Sequence, residues 1–191
     1  CSSDLMGTIV AQKLLNPSNS FKAAMISCNM YAEKQESILV GKATRVALEK
    51  SAKPTAVVLV SNLSNRFHVH EIAPAEDHFS SLKDDEWNQK VLELLGEGRL
   101  EDVSQVAREF ASEANGDMGF KGMFWLNALM GESNSHTGKV FDYRPVQGAG
   151  AALCAIYPGS GIDDFDFTFS NDAKDGLIEV DDAPFDEDDT I

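Results

Sequence analysis

Val57-Val-Leu-Val-Ser-Asn-Leu-Ser-Asn-Arg-Phe-His-Val-His-Glu71 is the stretch on which the fold reading turns. Ala56 to Val60 is apolar without alternation, as expected of a strand covered on both faces of a sheet. It passes into a polar turn that carries two histidines and a glutamate. In α/β proteins the carboxyl ends of strands are where ligands collect. Ser64 and Asn65 stand at the tip of that turn.

Working outward, Ile9 to Leu15 has apolar residues at helical spacing and stops at Asn16-Pro17. Ala23 to Cys28 has the length of a short strand, and Gln35 to Lys50 reads as a helix with Ile38, Leu39, Val46 and Leu48 apolar. Beyond the turn, a loop runs to about Lys83. Trp87, Val91, Leu94 and Leu95 then form one helical face, and Leu100, Val103, Ala107 and Phe110 form a second. Gly96-Glu97-Gly98 separates the two, which makes a helical hairpin. Met123 to Met130 is apolar nearly all round and predicts a buried helix. After a polar loop, Val140 to Val146 and Ala149 to Tyr157 read as a closing pair of strands around Gln147-Gly148. The order predicts an α/β domain with a central mixed sheet flanked by helices.

The 191 residues suffice for one domain with a sizeable core. Of the formal net charge of −15, −11 falls between Gly159 and Ile191, where 12 acids stand against one lysine. The acidity thus belongs to a tail, residues 159–191, whose composition predicts disorder. A body of charge −4 offers no basic patch for nucleic acid or an anionic membrane. No apolar run approaches the roughly 20 residues that span a bilayer. Cys1, Cys28 and Cys154 show neither zinc-knuckle nor redox-pair spacing, which favours a reducing, cytoplasmic setting. Cys1 to Leu5 resembles a translated sequencing-adapter end and is set aside from fold reasoning, leaving an amino-terminally truncated chain. The competing reading is a lipoprotein with Cys1 lipidated.

The loop also carries the residues with most chemical range. His68 and His70 share one face of an extended segment, and Glu71, Glu76, Asp77 and His78 follow. Two imidazoles and a carboxylate are the ligand set of a non-haem iron or catalytic zinc site. Solvated or helix-capping loop histidines fit the same residues. His136, between Ser135 and Thr137, reads as a surface residue. No Gly-x-Ser-x-Gly elbow surrounds Ser61 or Ser64, and Gly148-Ala149-Gly150 precedes a strand, so it is a tight turn and not a phosphate loop.

Four segments carry a family resemblance: Ile26-Ser-Cys-Asn-Met-Tyr31, Val58-Leu-Val-Ser-Asn-Leu-Ser64, Trp87-Asn-Gln-Lys-Val-Leu-Glu-Leu-Leu95 through Gly98-Arg99, and Phe124-Trp-Leu-Asn-Ala-Leu-Met-Gly131. With the closing strands, their order over residues 6–158 resembles the carboxyl-terminal part of a class III extradiol ring-cleavage dioxygenase. This is the family of the protocatechuate 4,5-dioxygenase β subunit, and the chain is most similar within it to the α-type subunits of 2-aminophenol 1,6-dioxygenases. The resemblance implies Fe(II) held by two histidines and a glutamate, a catechol or aminophenol substrate, O2, a separate acid/base histidine, and a substrate pocket at the strand-end turn, where Ser64 and Asn65 stand in this chain.

The chain departs from that pattern at the residues that matter. The acid/base histidine follows the Leu-Ser of the strand-end turn, where this chain has Asn65, which cannot shuttle a proton near neutral pH. The glutamate ligand lies about four residues before the tryptophan of the buried helix, where this chain has Lys121. The two histidine ligands belong to a part of the domain outside residues 6–158. The resemblance then implies a non-catalytic, metal-free subunit that packs against a catalytic dioxygenase subunit and shares its aromatic substrate. His68 or His70 taking over the acid/base role, an active Fe(II) enzyme, and a scaffold acting through the acidic tail are the alternatives.

Overall fold

The helical hairpin expected from the two apolar faces forms the centre of the core. The computed structural model describes residues 2–27, 31–51 and 53–159. In it, α3 (Leu82–Gly96) and α4 (Leu100–Glu113) pack through Val91, Leu95, Leu100, Val103, Ala107 and Phe110, all buried. Ser81 starts α3 as an N-cap, its hydroxyl accepting from the Asp84 N–H at 3.0 Å. Gly98 turns the chain between the helices at φ +72, a left-handed conformation that glycine adopts without strain. A Cβ there would lie 2.1 Å from the His136 carbonyl oxygen, so the close approach also requires glycine.

Three further helices complete the described chain: α1 (Ser2–Leu15), α2 (Lys34–Ser51) and α5 (Lys121–Met130). The first begins at Ser2, inside the residues set aside from the sequence reading. Contact between α2 and α5 is made by small residues. At Gly41 a Cβ would stand 2.4 Å from the Trp125 carbonyl oxygen and 2.9 Å from the Ala128 methyl. That side of α2 is where Ser37 and Gly41 are buried, while Leu39 and Val46 of the expected apolar face are exposed. Helix α5 buries Phe124, Asn127, Ala128 and Leu129, and ends at Gly131 with φ 101.

The class is mixed α/β, and among the described residues the sheet is an antiparallel pair, β1 (Thr137–Val146) and β2 (Ala149–Tyr157). Gln147 and Gly148 join them with positive φ at both positions, the geometry of a tight hairpin turn. A register irregularity between Val140 and Asp142 interrupts the ladder. The expected central sheet is corrected here. Residues 23–27 and 56–60 have no regular secondary structure, and Val57, Val58 and Val60 are 38%, 53% and 50% exposed. Only Leu59 turns inward, against Gly122 of α5. A strand buried on both faces needs ladder partners at its edges and layers above and below. Apolar composition cannot supply them. Cys1, Cys28 and the acidic tail beyond Gly159 lie outside the described residues.

Candidate functional site

The polar turn after Val60 is held from two sides. Leu63 donates its N–H to the Gly150 carbonyl (2.9 Å), and the Gly150 N–H returns a bond to the Ser64 carbonyl (3.0 Å). On the other side, Ser64 bridges Gly116, the Asn65 N–H reaches the Asn115 carbonyl (3.1 Å), and the Asn115 side chain donates to the Asn65 carbonyl (2.9 Å). The turn therefore lies as a short strand-like piece between the start of β2 and the segment 115–117.

Ser64 is fully buried. Its N–H donates to Asn88 Oδ1, and its hydroxyl oxygen accepts from Asn88 Nδ2 (both 2.9 Å) and from the Gly150 N–H (3.1 Å). Asn88, at 0% exposure on α3, is thus the buried post on which the turn rests. Below it, Asp84 is 1% exposed and is paired with Arg66, whose Nε donates to Oδ1 at 3.2 Å. The Tyr143 hydroxyl donates to Asp85 Oδ1 at 2.7 Å. Burial, reinforced by that carboxylate, raises the Tyr143 pKa.

Asn65 is half-buried and points into a small polar cluster. Its Nδ2 donates to Asp117 Oδ1 (3.3 Å), and its Oδ1 accepts from Asn62 Nδ2 (3.1 Å). The other Asp117 oxygen accepts from the Ser61 hydroxyl (3.1 Å) and the Asn62 N–H (3.2 Å). Asp117 opens a short 3-10 turn, Asp117–Phe120, that leads into α5. Met118, Gly119 and Phe120 all have φ between 50 and 66 there. Left-handed geometry costs a non-glycine residue about 1 kcal/mol or more. Burial of Phe120 at 1% exposure, with its ring 4.4 Å from that of Phe110, offsets the strain.

The histidines of the loop lie elsewhere. His68 donates through Nε2 to the His78 carbonyl (2.8 Å), with Asp77 Oδ1 3.7 Å away and the two rings 4.6 Å apart. Asp77 is spent on the hairpin turn, where its oxygens accept from the Gln147 and Gly148 N–H groups at 2.5 and 3.1 Å. The His68 backbone N–H donates to the Gln147 carbonyl (2.8 Å), tying the loop to the β1–β2 turn, and His70 is exposed. Lys121 is the first residue of α5. Among the described residues no three of His, Cys, Asp or Glu are grouped as a metal would need. Two imidazoles and a carboxylate placed to hold a ferrous ion are thus not found together among the described residues.

His136 is not the surface residue its neighbours suggested. Both ring nitrogens are buried without a hydrogen-bond partner, and burial together with Arg45 lowers its pKa. Asp117 and Asn88 are the members of the site that sequence reading missed. Asn115-Gly116-Asp117 carries a turn signal, but the 50-odd residues between Asn65 and Asp117 conceal that they meet. Asn88 sits at the polar edge of an otherwise apolar helical face and gives no signal.

The family profile described as "Catalytic LigB subunit of aromatic ring-opening dioxygenase" matches residues 6–154. The chain belongs to this family. It is 32% identical over 159 residues to the 2-aminophenol 1,6-dioxygenase beta subunit of Pseudomonas sp, covering 77% of this chain and 52% of that protein. It is 30% identical over 149 residues to the alpha subunit of the same enzyme, covering 77% of this chain and 54% of that protein. The chain thus spans about half the length of the curated relatives it matches. No helix among the described residues is long and apolar enough to cross a membrane.

Proposed function

We propose that this chain is a non-catalytic, cytoplasmic subunit of an aromatic ring-opening dioxygenase for catechol- or aminophenol-type substrates. In this reading it holds no iron, packs against an iron-bearing catalytic subunit, and lends Asn65 to the shared substrate site. The observation that carries it is the fixed state of Asn65. Where the family resemblance calls for a proton-carrying imidazole, a carboxamide is held between Asp117 and Asn62. General acid/base catalysis needs a group that gains and loses a proton near the working pH, and an amide does neither. Lys121 adds a cation at the position expected for an anionic ligand. His68, the nearest alternative, has its Nε2 engaged with the His78 carbonyl. The two relatives, named as beta and alpha subunits of one enzyme, support a hetero-oligomer.

The matched profile favours a second reading, because its description is of a catalytic subunit. In that version the full-length protein is an active Fe(II) dioxygenase, with histidine ligands supplied from outside residues 6–154. Purification of the native assembly separates the two. Our reading expects ring-opening activity and iron to follow a second polypeptide. An active preparation that contains only this protein overturns it.

A further inference from the structure

An asparagine carboxamide can present either its oxygen or its nitrogen edge, and at Asn65 that choice decides what the turn offers a ligand. An ionised carboxylate has acceptors only. With Asp117 Oδ1 3.3 Å from the Asn65 side chain, the nitrogen edge must face Asp117. Asn62 Nδ2, 3.1 Å from the opposite edge, is a donor and requires oxygen there. A flip would set two oxygens against each other on one side and two N–H groups on the other. Asp117 is itself fixed by the Ser61 hydroxyl and the Asn62 N–H on its second oxygen, and by its own N–H to the Leu63 carbonyl at 3.2 Å.

We propose that Asp117 is a positioning residue that locks the Asn65 carboxamide, so that its remaining N–H meets an oxygen acceptor on a phenolic ligand. The ligand half of this rests on the reading of Asn65 as part of a shared substrate site. The orientation half stands on the three side chains alone. It gives the turn a preference that no proton shuttle has: a fixed hydrogen-bond donor for a hydroxyl or phenolate oxygen, with no titration of its own.

Nuclear magnetic resonance of the 15N-labelled chain tests both halves. The Asn65 side-chain amide pair is assigned by its loss in Asn65→Ala. In the unmodified chain, the proton facing Asp117 is expected to exchange with solvent at least about tenfold more slowly than its partner, as a protected hydrogen-bonded proton does. Equal, fast exchange of both overturns the positioning role without need of any further variant. Asp117→Asn, which can offer either edge, should shift the Asn65 pair and erase the difference while α3 and α4 backbone signals stay in place. Ser61→Ala removes contacts to the other oxygen of Asp117 and to the Asn62 carbonyl, leaves Oδ1 untouched, and should keep the difference intact. An Asn65 pair unmoved by Asp117→Asn, or moved equally by Ser61→Ala, also overturns the proposal. Catechol is then added to the unmodified chain and should move the second proton's signal. If the exchange difference holds but catechol moves nothing, the ligand assignment falls and the positioning role remains.

Discussion

Residues 82–157 and residues 7–69 are both rich in apolar side chains, yet apart from Leu63 the buried ones lie in the first set. Phe110, Phe120, Leu100, Val91 and Val103, all in the later stretch, are the largest fully buried apolar side chains. Of the exposed large hydrophobics, all but Leu82, Val146 and Leu153 lie between Ile9 and Val69. The difference is one of partners. In the later stretch, α3 and α4 close on each other through a tight glycine turn, and the hairpin covers one side of α3. In the earlier stretch, α2 buries only Ser37 and Gly41 fully, leaving Leu39 at 68% exposure. An apolar pattern records a capacity for burial, and the packed surface opposite realises it. The polar turn at Asn65 lies in the earlier stretch but is anchored to the later one, through Asn88, Gly150 and Asn115. That is why its geometry is fixed.

The comparison can be broken at several points. The largest expected effect is Phe110→Ala, which empties the contact with Phe120, Trp87 and Gly116 and should cost about 3–5 kcal/mol in denaturant unfolding. A loss below about 1 kcal/mol would mean that the later stretch is not a packed core. Next is Asn88→Ala, which strands the buried Ser64 N–H, takes one of two donors from its hydroxyl and should cost about 2–3 kcal/mol. It should also release the turn, visible as faster exchange at Leu63, Ser64 and Asn65.

A smaller effect comes from His136. Its folded pKa lies below the ordinary value of 6.5, so the unfolded chain binds the proton more readily. The stability associated with its neutral form is fully present above that value and is lost as pH falls below it. His136→Gln should flatten this part of the stability–pH curve, and an unchanged slope would contradict the burial of the ring. The smallest is Val58→Thr, expected to stay within about 0.5 kcal/mol because the side chain is 53% exposed. A cost above about 1.5 kcal/mol would show that the earlier stretch is covered in solution.

Much of the fold was legible in the sequence because local signals and tertiary contacts agree there. The hairpin α3–α4, helix α5 and the β1–β2 pair follow from periodicity and from Gly98, Gly131 and Gly148. The strand reading of 56–60 went astray because β-branched composition reports what a segment can join, while the ladder depends on backbone elsewhere. Of the apolar face assigned to α2, Leu39 and Val46 misled for a related reason, while Ile38 packs on the core. Helices that approach through Gly41 and Ala128 bury small residues, which carry little hydrophobic signal. At the site, Asn65 and Lys121 were singled out from the family resemblance alone. The union of Asn65 with Asp117 could not be read from sequence, since it is made by the left-handed segment 118–120 folding back before α5. His136 shows the same limit: polar neighbours in sequence do not reveal what covers a ring in space.

Ferrous ion loaded anaerobically into the purified chain, followed by iron assay and exposure to catechol and 2-aminophenol in air, is the most direct test. Less than stoichiometric iron and no ring-opened product are expected. One equivalent of tightly held iron with turnover of either substrate would contradict it.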